Sequence, residues 1–111
     1  MGLLDEIRNK VRARRYEFSK HAVDQVIVRN ISVAEFEEAI RDRSEIIEDY
    51  PDDKYGPSCL ILGFTENGRP IHVQCSHATR RLVKVITLYE PNPGEWIDLR
   101  IRKPKRKGDL S

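Results

Sequence analysis

Residues 18–36, FSKHAVDQVIVRNISVAEF, decide the fold, because they encode two successive helices. Apolar side chains recur there at the i, i+3, i+4 spacing of a buried helix face, which predicts the first of these helices from about residue 19 to residue 29. A polar stripe runs beside that face, and each of its members is four residues from the last. The apolar set is Ala22, Val23, Val26 and Ile27, and the polar stripe is His21, Gln25 and Arg29.

The next helix carries a clear start signal. Ser32 and Glu35 have the spacing of a capping box, in which each side chain bonds to the backbone of the other residue. We therefore predict a helix that begins at Ser32, ends near Arg43 and buries an apolar face. Upstream, residues 3–14 have a narrow apolar stripe in a basic background and are predicted to form another helix.

After residue 44 the apolar period changes from helical to strand-like. Asn67-Gly68 is typical of a two-residue hairpin turn and predicts that two of the strands are neighbours. The predicted strands are residues 45–50, 58–66, 69–76 and 82–90.

The hairpin predicted at Asn67-Gly68 assigns a face to each side chain. It pairs Glu66 with Arg69 and places Gly63 opposite His72. The two cysteines would lie on opposite faces, so no disulfide is expected. One face would be wholly apolar and covered by the helices, and His72 and Gln74 would point from the other face. The apolar face would consist of Leu60, Leu62, Phe64, Ile71, Val73 and Cys75.

These elements predict an α+β fold, in which N-terminal helices pack on one face of a four-stranded antiparallel sheet. The predicted organisation is a basic helix at residues 1–15, one α+β domain at 16–103 and a basic tail at 104–111.

Composition favours a small cytoplasmic domain. The 111 residues are 34% charged and 39% hydrophobic, which suits one modest core. No apolar run approaches a membrane span and no hydrophobic leader is present, so no membrane association is expected. Cys59 and Cys75 fit a reducing compartment as free thiols.

The net charge of +2 hides an uneven distribution, in which basic ends enclose an acidic middle at residues 35–53. This pattern indicates a polyanionic partner or, equally, two solvated basic ends that keep a small protein soluble. The basic residues are Arg8, Lys10, Arg12, Arg14, Arg15 and Lys20 at the start, and Arg100, Arg102, Lys103, Lys105, Arg106 and Lys107 at the end.

Two histidines are candidate groups for proton transfer. His21 lies near the positive end of its helix dipole, which favours the neutral ring, although it could also be a surface histidine bonded to nearby backbone. His72 would have room beside Gly63, although a glycine in a strand can equally mark a bulge. Arg29 could bind a phosphate or pair with the acidic third helix.

Arginines and a tyrosine add candidate phosphate contacts. Arg80 and Arg81 could each bind phosphate with two parallel hydrogen bonds, although turn arginines are often only solvated. Tyr89 could reach a phosphate or extend from the core. The histidines and cysteines lack the spacing of a metal site, and no cofactor-binding motif is present, so neither a metal nor a cofactor is expected.

Three segments, FSKHAVDQVIVRNISVAEFEEAI, RPIHVQ and VITLYEPNPGEWID, resemble the family called domain of unknown function 4258. The resemblance covers about residues 16–103. It implies a fold similar to the RelE and BrnT toxins of bacterial toxin–antitoxin pairs, whose relatives include ribonucleases, and a small antitoxin as partner. It places His21, Arg29, His72, Thr87 and Tyr89 on the family's recurring polar positions.

The leading hypothesis is a toxin-like endoribonuclease that cleaves RNA without metal. His21 and His72 would transfer protons to and from the 2′-hydroxyl and the departing 5′ oxygen, so they must face one cleft. Arg29 would stabilise the charge of the phosphorane, while Thr87 and Tyr89 orient the phosphate. The predicted RNA contacts are Gln25, Gln74, Arg80, Arg81 and Lys84.

Two alternatives predict no catalysis. The first is a module that binds RNA or a ribosomal surface through its basic ends. The second is a protein-interaction domain in which the acidic third helix docks a basic partner and the histidines are structural.

Overall fold

The computed structural model describes residues 2–104, in which three helices and seven strands form. Residues 105–111 of the predicted basic tail lie outside the described residues. In chain order the elements are α1 (Leu3–Arg12), β1 (Tyr16–Phe18), α2 (Lys20–Val28), α3 (Val33–Arg41), β2 (Ser44–Tyr50), β3 (Ser58–Phe64), β4 (Pro70–Ser76), β5 (Val83–Tyr89), β6 (Trp96–Ile97) and β7 (Ile101–Arg102).

The three predicted helices are confirmed, and local capping bonds define where α2 and α3 begin. The Ser19 hydroxyl accepts a hydrogen bond from the Ala22 amide at 3.0 Å at the start of α2. Ser32 and Glu35 form both bonds of the predicted capping box at the start of α3. Asn30 takes a positive φ of 53° just after α2, which asparagine tolerates better than most residues.

The sheet has five strands, in the order β1-β5-β4-β3-β2. The α+β class is confirmed, but the prediction of four antiparallel strands is wrong, because β1 joins the edge of β5 in parallel. With three residues, β1 is too short to show an alternating pattern in the sequence. The helices cover one side of this sheet, here called the helix face, and the opposite side is called the arm face.

The predicted register of the β3–β4 hairpin is wrong by one residue. The turn is a three-residue loop, because the Gly68 amide bonds to the Thr65 carbonyl at 2.9 Å and the Thr65 amide bonds to the Arg69 carbonyl at 3.0 Å. Gly68 has a φ of 85°, the left-handed conformation that such a loop requires. A slip of one residue turns every β3 side chain to the other face.

The two cysteines therefore lie opposite each other rather than on opposite faces. Cys59 pairs with Cys75 across the hairpin, and both are buried free thiols on the helix face. A hydrogen bond with the Cys59 thiol and burial raise the pKa of Cys75 well above its usual value.

Gly63 lies on the helix face, where α3 comes very close to β3. A Cβ atom on Gly63 would lie 1.9 Å from the Ala39 carbonyl oxygen. Its partner across the hairpin is Ile71, and His72 is paired with Leu62 instead. The glycine therefore permits helix–sheet contact, and the prediction that it leaves room beside His72 is wrong.

The predicted buried face of α2 is covered only in part. Ala22 is fully buried, but Val23 and Ile27 have relative exposures of 46% and 74%. The helix packs mainly on β5, at one side of the sheet, so only a narrow stripe meets the core.

No described helix has both the length and the apolar character that crossing a bilayer requires.

The segment after β5 covers part of the arm face. Residues 91–104, here called the C-terminal arm, contain the small β6–β7 hairpin. Arg100 binds Glu45 at 2.6 Å and Arg102 binds Glu48 at 3.1 Å, so two basic residues of the arm pair with acids of β2. Part of the acidic middle thus neutralises part of the C-terminal basic cluster.

Candidate functional site

The structure does not bring His21 and His72 together. His21 is exposed on α2, a helix that packs on the helix face through Ala22. His72 lies on the arm face, paired in register with Tyr89 of β5. The sheet and its core separate the two imidazoles, so the expected shared cleft is not formed.

The surroundings of His72 are those of a structural histidine. Its side chain has no exposed area, and the Trp96 ring packs edge-on against it with centroids 4.5 Å apart. Nε2 lies 2.7 Å from the Leu99 carbonyl oxygen and Nδ1 lies 3.2 Å from the Tyr89 hydroxyl. Because a carbonyl only accepts, Nε2 carries the proton and the Tyr89 hydroxyl donates to Nδ1. Both ring nitrogens are thus occupied beneath the C-terminal arm.

Burial of His72 predicts a stability change near neutral pH. Burial lowers the pKa of His72 from 6.5, although the Leu99 carbonyl and Glu48 oppose the shift. The folded state therefore holds the neutral ring, while the unfolded state takes up a proton. The stabilisation of the fold by neutral His72 is complete above 6.5, the pKa of His72 in the unfolded state. It is lost as the pH falls through the lower pKa of His72 in the folded state.

We expect the free energy of unfolding to fall between about pH 7.5 and about pH 5.5, because the unfolded state takes up a proton on His72 before the folded state does. Urea denaturation at both pH values measures it. The His72→Gln variant should lose most of this dependence, whereas His21→Gln, at an exposed position, should retain it. Equal pH dependence in all three proteins would contradict the assignment.

The other predicted catalytic residues divide between the two sides of the molecule. Thr87 pairs with Gln74 across β4 and β5, and both are half-buried close to Tyr89 on the arm face. Arg29 is exposed at the end of α2, where its Nε donates to the Gln25 side chain at 3.0 Å. The expected catalytic set therefore does not form one constellation.

A basic surface forms at the edge of the sheet, where the segment that precedes β1 lies beside the segment that precedes β5. The Val83 amide bonds to the Arg15 carbonyl at 3.0 Å, which joins the two segments. The Lys10 ammonium donates to the carbonyls of Arg80 and Arg81 at 2.6 and 3.0 Å. We call this surface the basic edge and define it as Arg15, Arg80, Arg81 and Lys84.

The side chains of the basic edge have no ion-pair partner within 4.0 Å among the described carboxylates. Glu17 is the register partner of Lys84 in the parallel β1–β5 pair, but its carboxylate lies more than 4.0 Å from the Lys84 ammonium. Several cations elsewhere are paired. Arg69, for example, binds Glu35 at 3.2 Å and Glu90 at 2.7 Å. The basic edge is therefore a concentration of cations that form no ion pair with a described carboxylate.

A cleft of about 260 Å³ adjoins the basic edge. Its walls include Tyr55 from the β2–β3 loop and Thr79 and Arg80 from the β4–β5 loop, and Lys84 and Ile86 of β5 also line it. The arrangement combines cations that suit phosphate oxygens with an aromatic ring that suits a base.

Sequence reasoning singled out Arg80, Arg81 and Lys84 as RNA contacts, named Arg15 only as one of the basic residues at the start of the chain, and missed Tyr55. Arg15 was one cation among many near the start of the chain, and only the β1–β5 pairing places it beside the β4–β5 loop. Tyr55 did carry a signal, because it is a lone aromatic in the polar loop between Pro51 and Pro57.

Among residues 2–104, no three histidine, cysteine or acidic side chains are grouped in a way that could hold a metal ion.

No curated protein and no solved structure matches the chain. One family model does, over residues 18–90, and its description is Domain of unknown function (DUF4258). The match begins at the last residue of β1, extends past the end of β5 and includes Arg80, Arg81 and Lys84. The chain therefore belongs to the DUF4258 family.

Proposed function

We propose that this protein binds RNA through the basic edge. The observation that supports it is the convergence of cations from two segments distant in sequence, none of which is paired with a described carboxylate. Release of counterions from a phosphate backbone makes such a surface attractive to RNA, and the binding weakens as salt rises. Arginine adds geometric fit, because a guanidinium can donate two parallel hydrogen bonds to a phosphate.

The proposal is for binding without a two-histidine cleavage mechanism. That mechanism needs a general acid and a general base within reach of one phosphate. His72 is buried with both nitrogens occupied, and His21 lies on the other side of the sheet. We retain a toxin-like role in the proposal, in which binding to RNA or to the ribosome in the cytoplasm obstructs translation, because resemblance to the DUF4258 family implies a fold similar to the RelE and BrnT toxins.

The experiment compares two variants that each remove two positive charges. Arg80→Gln with Arg81→Gln changes the basic edge, and Arg29→Gln with Lys103→Gln changes exposed cations elsewhere. Fluorescence anisotropy with a labelled single-stranded RNA in EDTA measures affinity at several salt concentrations. The edge variant should bind about tenfold more weakly, and its salt slope should be smaller by about 1.4, whereas the control should resemble the wild type.

Equal losses in the two variants would contradict the assignment of the interface. The same RNA, run afterwards on a denaturing gel, tests cleavage. We expect intact RNA. Cleavage that persists in a His21→Ala, His72→Ala double variant would show a nuclease that uses other residues.

A protein partner is a second candidate, which the surface of α2 favours. Ile27 is 74% exposed and Val23, four residues before it on the same helix face, is 46% exposed, so α2 presents neighbouring apolar side chains at its surface. The acidic face of α3 is less suited to a partner, because Glu35 and Glu37 already accept bonds from Arg69 and Tyr16. We propose a small antitoxin as the partner. Co-purification with the product of an adjacent small reading frame, and its loss in Ile27→Asp, tests this.

A further inference from the structure

We propose that the cleft beside Tyr55 holds one nucleotide of a single-stranded RNA, with the base stacked on the Tyr55 ring and the phosphate held by Arg80 and Lys84. The inference rests on the proposed function and names the form of RNA that the basic edge accepts.

Tyr55 has an unusually open ring. Its relative exposure is 85%, whereas tyrosine rings are more often partly buried against the protein. The Lys54 ammonium lies over one face of the ring, 4.9 Å from the ring centroid. A ring with so large an exposed fraction contributes little to the fold, and its face away from Lys54 is available to stack on a ligand.

The loop that carries Tyr55 is folded by its own hydrogen bonds. The Gly56 amide bonds to the Asp53 carbonyl at 2.9 Å, and the Tyr55 amide bonds to the Asp53 carboxylate at 3.2 Å. Gly56 has a φ of 108°, a conformation that favours glycine at this turn. These bonds fix the loop backbone beside the cleft, so mainly the side-chain torsions of Tyr55 remain to be ordered when a base stacks on its ring.

Asp53 is the acidic residue in the cleft wall, and both of its carboxylate oxygens are bonded within the protein. One accepts from the Tyr55 amide and the other accepts from the Ser58 hydroxyl at 3.3 Å. Across the cleft, Arg80 and Lys84 have no described carboxylate within 4.0 Å. Since the cleft lining carries the cations Arg80 and Lys84 against the single carboxylate of Asp53, its net charge is positive and a phosphate is attracted to the Arg80 side.

The size and shape of the site favour a single strand. A cleft of about 260 Å³ is close to the lower limit of small-molecule sites, roughly 300 Å³, and suits one nucleotide rather than a helix. Bases in a duplex are stacked and paired, so their faces are closed to a side chain, whereas unpaired bases can stack on an aromatic ring. Stacking is tolerant of sequence, so we expect weak discrimination among bases.

The test compares three ligands: a single-stranded ten-nucleotide RNA, the same RNA in a duplex, and inorganic polyphosphate. The variants are Tyr55→Ala, which removes the ring, and Tyr55→Phe, which keeps it. Tyr55→Ala should weaken binding of the single strand about tenfold and leave polyphosphate binding unchanged. Tyr55→Phe should bind the single strand like the wild type. Circular dichroism checks that both variants are folded.

The outcomes separate this inference from the proposed function. If the wild type binds no RNA, the proposed function is overturned, and the nucleotide site with it. If the wild type binds the single strand and Tyr55→Ala binds it equally well, only the nucleotide site is overturned. Equal wild-type affinity for the duplex and the single strand would also overturn the site, because a duplex cannot present a free base face.

Discussion

Replacement of Gly63 by alanine is expected to destabilise the protein by at least about 3 kcal/mol, because the new methyl group has no space. Its Cβ would lie 1.9 Å from the Ala39 carbonyl oxygen and 2.6 Å from the carbonyl carbon. Both atoms belong to the backbone of α3, so no side-chain rotation can relieve the overlap. Either α3 must move away from β3 or the sheet must bend.

The matched control is Gly2→Ala, since a Cβ atom at Gly2 has no heavy atom within 4 Å. Urea denaturation of both variants gives the free energies of unfolding. We expect Gly2→Ala to change stability by less than about 0.5 kcal/mol. A Gly63→Ala protein as stable as the wild type would show that α3 does not approach β3 as described.

Replacement of Trp96 by alanine is expected to cost about 3 kcal/mol and to release the C-terminal arm from the arm face. Trp96 is 4% exposed and contacts the His72 ring. The Arg102 guanidinium, on the other strand of the arm hairpin, lies 4.5 Å from the Trp96 ring centroid, so the indole contacts both the arm hairpin and His72 of the sheet. Without it, mainly exposed ion pairs and the Leu99 bond to His72 would hold the arm, and exposed ion pairs contribute little.

Two measurements check this account of the arm. Urea denaturation gives the stability loss, and an NMR titration of the His72 ring follows its pKa. In the wild type burial lowers that pKa from 6.5, and in Trp96→Ala it should return towards 6.5 as water reaches the ring. Trp96→Phe keeps a ring at this position and should change both quantities less. A Trp96→Ala protein whose His72 titrates as in the wild type would refute the account.

Local signals predicted the helices, because their causes lie within a few residues of one another. Ser19 accepts from the Ala22 amide, and Ser32 exchanges two bonds with Glu35, so each helix start is encoded where it occurs. The apolar spacing of α2 overestimated burial, since Ile27 is exposed at the side of the sheet. A period shows which side chains share a helix face but not how much of that face another element covers.

The hairpin register depended on a distinction that the sequence leaves open. Asn67-Gly68 suits a two-residue turn, but it also suits a three-residue loop in which Gly68 alone is left-handed. The difference is one residue, and it decides which β3 side chains meet the helices. The contact between α3 and β3 shows which register is correct, because only a glycine at position 63, on the helix face, allows α3 to come so close.

The candidate site was predicted in part, because charge along the chain does not reveal pairing in space. Arg100 and Arg102 belonged to one apparent basic cluster, yet they pair with Glu45 and Glu48. The cations of the basic edge instead come from two segments: Arg15 precedes β1, and Arg80 and Arg81 precede β5. The pairing of β1 with β5 brings these segments together. A parallel contact of three residues produces that surface, and no local pattern predicts it.

The most direct test of the account is an NMR titration of the labelled protein with single-stranded RNA, which maps the amides whose chemical shifts change. The account predicts changes at Arg15, Arg80, Arg81 and Lys84, with little change at His21 and Arg29 on α2. Changes confined to α2, with the basic edge unaffected, would contradict it.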